Sequence, residues 1–353
     1  MNEIIREDCE KNLKKINLKK IKDSTILLTG SNGLLGRYIV HTVYLANKKY
    51  NSNCKIYCVS LHGPSYEIKK LLDDKNIIQI KADLTKPFNF KENLDYVFHA
   101  ACYAQPKLWL NDKIKTIYLN VNTTKLLLDI AYKNNAKFMF FSSQDVYGDI
   151  PKEFVPVKEN YNGNLSTIAP RSAYGESKRL GETICSIYRN DLKLKTYIIR
   201  ISHTYGPGVS IHDERVLGNF INKAIFNKKI NMLDEGKSVK MFGYIADIIY
   251  MILRVMLDGK DFIYNIGGKN KISIKELAEI VAKYCDNIPV IPSKKKSKFE
   301  HIGTDPDYVG LNISKFEKEF GKVDFMDFHE GIKRTINWNI KEFNLGDIFN
   351  EIP

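Results

Sequence analysis

Thr25-Ile26-Leu27-Leu28-Thr29-Gly30-Ser31-Asn32-Gly33-Leu34-Leu35-Gly36 is the stretch on which the fold turns. A short apolar, β-branched run stops at three glycines, and an amphipathic helical pattern then runs to about residue 48. Glycines at positions 30, 33 and 36 allow a tight turn, close backbone approach to a pyrophosphate, and close packing of helix on sheet. The helix N-terminus supplies the partial positive charge that a diphosphate requires. Glycine triplets also occur in ordinary turns, but the strand before and the helix after point to a dinucleotide loop.

Outward from that stretch the pattern repeats. Apolar runs at residues 25–29, 55–60, 77–80, 96–99, 138–141 and 196–201 alternate with helical stretches near 34–48, 110–134 and 172–190. This rhythm predicts βαβ units, hence an α/β protein with a doubly wound parallel sheet of the Rossmann type. After Tyr205-Gly206-Pro207-Gly208 the alternation loosens, with helices expected near 246–257, 273–285 and 328–343, which suits a smaller C-terminal α/β substrate lobe. The predicted division is an N-terminal helical extension (1–23), a dinucleotide-binding domain (24–205 plus about 243–266) and a lobe from 206–242 and 267–345. In the extension Ile4, Ile5, Leu13 and Ile16 fall at helical spacing, with no role legible from sequence.

Composition narrows the class further. A chain of 353 residues buries a full core without staples. Its six cysteines lie at Cys9, Cys54, Cys58, Cys102, Cys185 and Cys285, without paired motifs or metal-ligand rhythm, as in reduced cytoplasmic proteins. The start lacks a basic-then-apolar signal segment, and no apolar run reaches the ~18 residues of a membrane span. The net charge of +13 is spread over helix faces and mixed with acids, with no basic stripe interleaved with aromatics, so nucleic acid is not an expected partner. The densest cluster, Lys294, Lys295, Lys296 and Lys298, falls in an expected loop.

The chemistry lies in two later motifs. Tyr174-Gly175-Glu176-Ser177-Lys178 places a phenol and an ammonium one helical turn apart. A phenol of pKa about 10 acts as a base near neutrality only if neighbouring positive charge lowers it. Some thirty residues earlier, Phe141-Ser142-Ser143-Gln144-Asp145-Val146-Tyr147-Gly148 closes an apolar strand. With the glycine loop, the ordered set resembles the extended short-chain dehydrogenases/reductases, in particular the NAD-dependent epimerase/dehydratase family of nucleotide-sugar enzymes. Ala82-Asp83-Leu84, His99-Ala100-Ala101 and Asn120-Val121-Asn122 are similar to that family's cofactor-lining segments.

The resemblance implies NAD as cofactor, held by Gly30, Asn32, Gly33, Leu34, Gly36, Ser60, Asp83, Leu84, Ala100, Ala101, Asn120, Ser142, Tyr174, Lys178 and Ile201. The second strand ends Cys58-Val59-Ser60-Leu61-His62-Gly63, without the acid usual in NAD-specific relatives and without an arginine for a 2′-phosphate, so NADP stays open. The implied reaction is proton removal from a sugar hydroxyl by Tyr174, assisted by Ser143 and Lys178, with hydride transfer to the nicotinamide. The resulting 4-keto sugar has an acidic C5 proton. Asp145 stands where related enzymes carry a Glu base, and its ordinary alternative is a turn-forming Asp; Gln144 stands where many 4,6-dehydratases carry an Asp.

Expected substrate contacts are Gln105, Ser143, His203, Arg215, Val216, Asn219 and Lys240, toward a nucleoside-diphosphate sugar. The segments Pro170–Arg179 and Asp213–Ile221 resemble UDP-glucuronate decarboxylases. Two arginines of those enzymes are missing, because Gly208 follows Tyr205-Gly206-Pro207 and Pro306–Ile313 holds none. A uronate carboxylate favours such a fork donor. The expected outcome is therefore an epimerase or dehydratase serving a surface polysaccharide. A 4-dehydrogenase or 4-ketoreductase, a UDP-glucuronate decarboxylase, and a catalytically silent dinucleotide-sensing scaffold are the alternatives. Helices 110–134 and 172–190 are those through which relatives form homodimers.

Overall fold

The structure is a computed structural model that describes residues 1–294 and 308–343. In chain order the strands are β1 (Thr25–Thr29), β2 (Lys55–Ser60), β3 (Ile77–Lys81), β4 (Tyr96–His99), β5 (Lys137–Ser143), β6 (Thr196–Ile201), β7 (His203–Tyr205), β8 (Ile230–Asn231), β9 (Val239–Tyr244), β10 (Ile263–Ile266), β11 (Asn270–Ser273), β12 (Val290–Ile291) and β13 (Tyr308–Val309). The helices are α1 (Glu3–Leu13), α2 (Leu34–Tyr50), α3 (Tyr66–Lys69), α4 (Pro106–Asn111), α5 (Lys113–Lys133), α6 (Ser172–Asn190), α7 (Val216–Asn227), α8 (Ile245–Asp258), α9 (Ile274–Lys283), α10 (Ser314–Phe320) and α11 (Phe328–Glu342).

Seven strands form one parallel sheet in the order β3-β2-β1-β4-β5-β6-β10. A parallel sheet must be covered on both faces, which is why its strands read as continuous apolar runs. Side chains alternate accordingly. Ile26, Leu28, Ile56 and Phe98 join the core under α1, α2 and α8, whereas Leu27, Val59, Val97 and Phe138 join the core under α5 and α6. The order reverses between β1 and β4, and every motif named above falls at or beyond the carboxyl ends of the strands, the place where such sheets bind ligands. A smaller sheet, β11-β9-β13 with β7 also on β9, lies beyond β6, and β8 pairs with β12. Of the lysine cluster only Lys294 lies within the described residues.

The N-terminal extension is part of the core. Ile5, Cys9 and Leu13 of α1 are buried against the outer face of the sheet's helices. Asp8 accepts hydrogen bonds from the hydroxyls of Tyr38 (3.1 Å) and Tyr244 (2.8 Å) and from the Arg334 guanidinium (2.9 Å). Burial pushes the Asp8 carboxyl above its ordinary range, opposed by Arg334 and the two phenols. The Asn12 amide donates to the Ala246 carbonyl at 2.8 Å. One short helix thus ties α2, β9, α8 and α11 together.

Candidate active site

The glycine loop forms a cradle that excludes side chains. Gly30 has φ +74°, and a Cβ there would lie 2.8 Å from the backbone of Ala100 and Ala101 across the β1/β4 reversal. A Cβ on Gly36 would lie 2.3 Å from the Gly30 carbonyl oxygen. Gly33 caps α2 with no side chain over the helix N-terminus, and Leu34 opens the helix. Below this, Thr29 Oγ1 lies 2.9 Å from His99 Nδ1, and His99 Nε2 lies 3.1 Å from the Leu119 carbonyl. A carbonyl only accepts, so the ring proton is on Nε2; burial, with Lys178 nearby, lowers the His99 pKa to about 3 and keeps the ring neutral.

The other expected cofactor residues are placed around that cradle. Asn32 donates to the Gly63 carbonyl (2.7 Å) and accepts from the Ser65 amide (2.9 Å), while Ser60 donates to the same Gly63 carbonyl (2.7 Å). Both side chains shape the loop after β2. Asp83 accepts from the Thr85 amide and hydroxyl, which holds its carboxyl below the ordinary range. Leu84 and Ile201 are buried at strand ends. Asn120 is fully buried, donates to Ser177 Oγ at 3.0 Å, and keeps Oδ1 without a partner among the described residues. Ser142 points to the opposite face from Ser143 and donates to Glu182 at 2.6 Å. Glu182 in turn pairs with Arg200 at 2.6 Å. A cradle closed to any Cβ, facing an uncapped helix N-terminus, fits a dinucleotide diphosphate.

At the end of β5 the candidate catalytic residues come together. Tyr174 on α6 is 8% exposed; its phenol contacts the Ser143 hydroxyl and the Cys102 thiol. Burial pushes the phenol well above its ordinary value, with Cys102 and Asp145 adding to the rise and Ser143 opposing it. Lys178, one turn on, is 2% exposed; its ammonium donates to the Phe141 carbonyl at 2.6 Å and lies 5.9 Å from the centre of the Tyr174 ring. The indole of Trp109 on α4 stacks on Tyr174, with centroids 5.8 Å apart and planes 18° apart. Ser143 donates to Asp145 Oδ2 at 3.1 Å, and Arg171 donates to Asp145 Oδ1 at 3.0 Å. Gln144 turns the other way, its amide 2.8 Å from His203 Nε2.

The other expected substrate residues fall at α4, α7, β7 and β9. Gln105 caps α4, and Arg215, Val216 and Asn219 begin α7. Arg215 is already paired with the buried carboxylate of Asp213, with two N–H···O contacts of 3.0 Å from Nε. His203 leads β7, with its ring 5.8 Å from that of Phe242, and Lys240 is buried in β9. Gly208, where the decarboxylase pattern has an arginine, has φ +100° and gives its carbonyl to Arg37. Sequence reasoning missed Cys102, Trp109 and Arg171 as parts of the site. Cys102 follows the His99-Ala100-Ala101 segment and Arg171 lies within Pro170–Arg179, but only through-space contact assigns these residues and Trp109 a place.

A doubly wound sheet whose glycine cradle abuts a buried Ser, Tyr and Lys defines a dinucleotide-dependent oxidoreductase site. The chain belongs to the NAD dependent epimerase/dehydratase family, whose sequence profile matches residues 26–267. It is 28% identical to UDP-glucuronic acid decarboxylase 1 of Arabidopsis thaliana, over 88% of this chain and 69% of the relative. It is 30% identical to UDP-glucuronic acid decarboxylase 6 of the same plant, over 87% and 86%. Its fold matches a UDP-glucuronic acid 4-epimerase from Bacillus cereus, solved with a fluorinated UDP-sugar and NAD (TM-score 0.76, 21% identity, 90% of this chain and 99% of that one). It also matches a dTDP-glucose 4,6-dehydratase from Streptomyces venezuelae (TM-score 0.74, 20% identity, 90% and 97%).

Proposed function

We propose that this protein is an NAD-dependent nucleotide-sugar epimerase or dehydratase that works through a 4-keto sugar. The observation that carries this reading is the convergence of Ser143, Tyr174 and Lys178 beside the glycine cradle. Bound NAD would be held by Gly30, Gly33 and Gly36 and would supply the hydride acceptor. Tyr174 takes the proton from the sugar's C4 hydroxyl, Lys178 offsets the phenolate charge, and Ser143 hydrogen-bonds the reacting oxygen. Trp109 covers the tyrosine face and limits water there. Asp145, within the same hydrogen-bond group as Ser143, is the candidate base for the C5 proton. Gln144, tied to His203, donates hydrogen bonds but does not supply a proton to a leaving hydroxyl.

A second reading, decarboxylation of a UDP-uronate, is favoured by the two plant relatives. Gly208 argues against it, because the backbone there offers no fork donor to a carboxylate. Turnover of a panel of UDP-, dTDP-, CDP- and GDP-sugars, followed by product mass, separates them. Loss of water or a new isomer of unchanged mass supports the first reading, loss of carbon dioxide the second, and conversion of no sugar removes both. A dehydrated or epimerised product would suit a surface polysaccharide made from cytoplasmic precursors. NADP is the weaker cofactor candidate, since Ser60-Leu61-His62-Gly63 after β2 holds no arginine or lysine for a 2′-phosphate.

The same reading includes a homodimer. Ile114, Ile117, Tyr118 and Tyr132 on α5 and Leu180 and Ile187 on α6 are exposed large apolar side chains at helical spacing. Contiguous apolar faces on paired helices fit a second copy. Sedimentation of the protein and of a Leu180→Glu, Ile187→Glu variant tests it: a dimer that becomes monomeric supports the assignment, and a monomeric parent overturns it.

A further inference from the structure

Ser143, Asp145 and Arg171 form one line of contacts whose donors and acceptors count out unevenly. A serine hydroxyl has a single proton, and here it goes to Asp145 Oδ2 at 3.1 Å. The other carboxylate oxygen is taken by Arg171 at 3.0 Å. Both oxygens of the candidate base are therefore engaged in the substrate-free protein. A reacting sugar asks Ser143 for that same proton. We propose that Arg171 is a positioning residue that holds Asp145 by Oδ1, so that Oδ2 becomes free as a base only when Ser143 turns its proton to the oxygen on C4 of the bound sugar. This rests on the reading of Asp145 as the C5 base.

Three observations support the arrangement. Arg171 caps α6, and its carbonyl accepts from the Tyr174 amide at 3.1 Å, so its main chain is fixed to the turn that carries Tyr174 while its guanidinium reaches Asp145. Asp145 is joined to Ser143 twice, since its own amide donates to Ser143 Oγ at 3.2 Å, and that second bond survives when the hydroxyl proton turns away. Gln144 faces His203 instead of Asp145, leaving no competitor on the adjacent position. Aspartate has one methylene less than glutamate, and a guanidinium that fixes one oxygen compensates by removing rotational freedom from the other.

The sequence of steps balances. Bound NAD would accept the hydride from C4, and Tyr174 takes the hydroxyl proton, leaving the C4 ketone. Asp145 Oδ2 then takes the C5 proton, and the C5–H electron pair moves to form the enolate on the C4 oxygen. Return of the proton from Oδ2 regenerates the keto sugar, so C5 exchanges with solvent deuterium. An unpaired Asp145 would have a mobile carboxylate, which slows exchange more than hydride transfer.

The test uses the full chain with bound NAD, in deuterium oxide, with whichever nucleotide sugar of the panel reduces the cofactor. Deuterium at C5 and nicotinamide absorbance are followed together as pH is varied. Arg171→Met is expected to lower the ratio of exchange to hydride transfer by about tenfold or more at every pH, with Arg171→Lys restoring part of it. Asp145→Asn should abolish exchange. An unchanged ratio in Arg171→Met overturns the proposal, as does equal loss of exchange and hydride transfer in both arginine variants. Absence of cofactor reduction in the parent protein removes the underlying reading instead, whereas reduction without C5 exchange removes the role of Asp145 and Arg171 alone.

Discussion

Tyr174 is subject to opposing demands. Burial, with Trp109 stacked on the ring, raises its pKa, yet in the proposed reaction proton abstraction requires the phenolate, and the cation at hand for that role is Lys178, 5.9 Å from the ring centre. The ammonium is itself buried and fixed to the Phe141 carbonyl, so its charge is not dispersed into solvent. Tyr174→Phe should keep the fold and the dinucleotide affinity while lowering hydride transfer by roughly 10²–10⁴. Calorimetry of NAD binding and nicotinamide absorbance measure the two separately, and a variant that still transfers hydride at the parent rate would assign the base elsewhere. Arg171 belongs at this scale too. It stands within the Pro170–Arg179 motif, but nothing in residue type or spacing names Asp145 as its partner.

Among the elements, the β1–α2 turn and α4 make the clearest demands. A Cβ at Gly36 would lie 2.3 Å from the Gly30 carbonyl, inside any permitted contact, so Gly36→Ala must move the turn that faces the diphosphate. NAD affinity should fall at least about tenfold, with thermal unfolding showing whether the remainder of the sheet persists. Helix α4 offers an optical test, since Trp109 and Trp338 are the only two tryptophans. In a Trp338→Phe variant the emission reports on the indole over Tyr174 alone; it should shift when the reacting nucleotide sugar saturates the enzyme, and a constant spectrum would place α4 away from the sugar. The strands β1 to β6 and the helices α2, α5 and α6 were legible because burial on both faces writes apolar runs and helical periods into the chain. α4 was not, because six residues after a Gln-Pro pair carry too little periodicity, and the Trp109 stack is a contact between segments far apart in sequence. The same holds for Cys102: its place after His99-Ala100-Ala101 is visible, but its contact with Tyr174 is a matter of tertiary geometry.

At the scale of the molecule, buried histidines set the acid limit. His41 on α2 is 1% exposed with both ring nitrogens unpartnered among the described residues, and burial lowers its pKa from 6.5 to about 3. His99 behaves likewise. The unfolded chain binds these protons first, so their contribution is complete above pH 6.5 and is lost as pH falls from there toward about 3. Asp247, raised to about 6 by burial, acts in the opposite sense below that value. The His41 contribution therefore shows best as a difference: between pH 6.5 and about 3 the parent should lose up to about 1.4 kcal/mol per pH unit relative to His41→Gln, measured by denaturant unfolding. Parallel curves would mean that His41 protonates freely in the fold. The Asp8 knot bears on how the chain reaches this state during synthesis. Asp8 leaves the ribosome more than two hundred residues before Tyr244 and more than three hundred before Arg334. Until then α1 has only part of its seat, so it is locked only after α11 has been made, and ribosome-bound chains stopped before α11 should leave it open to protease.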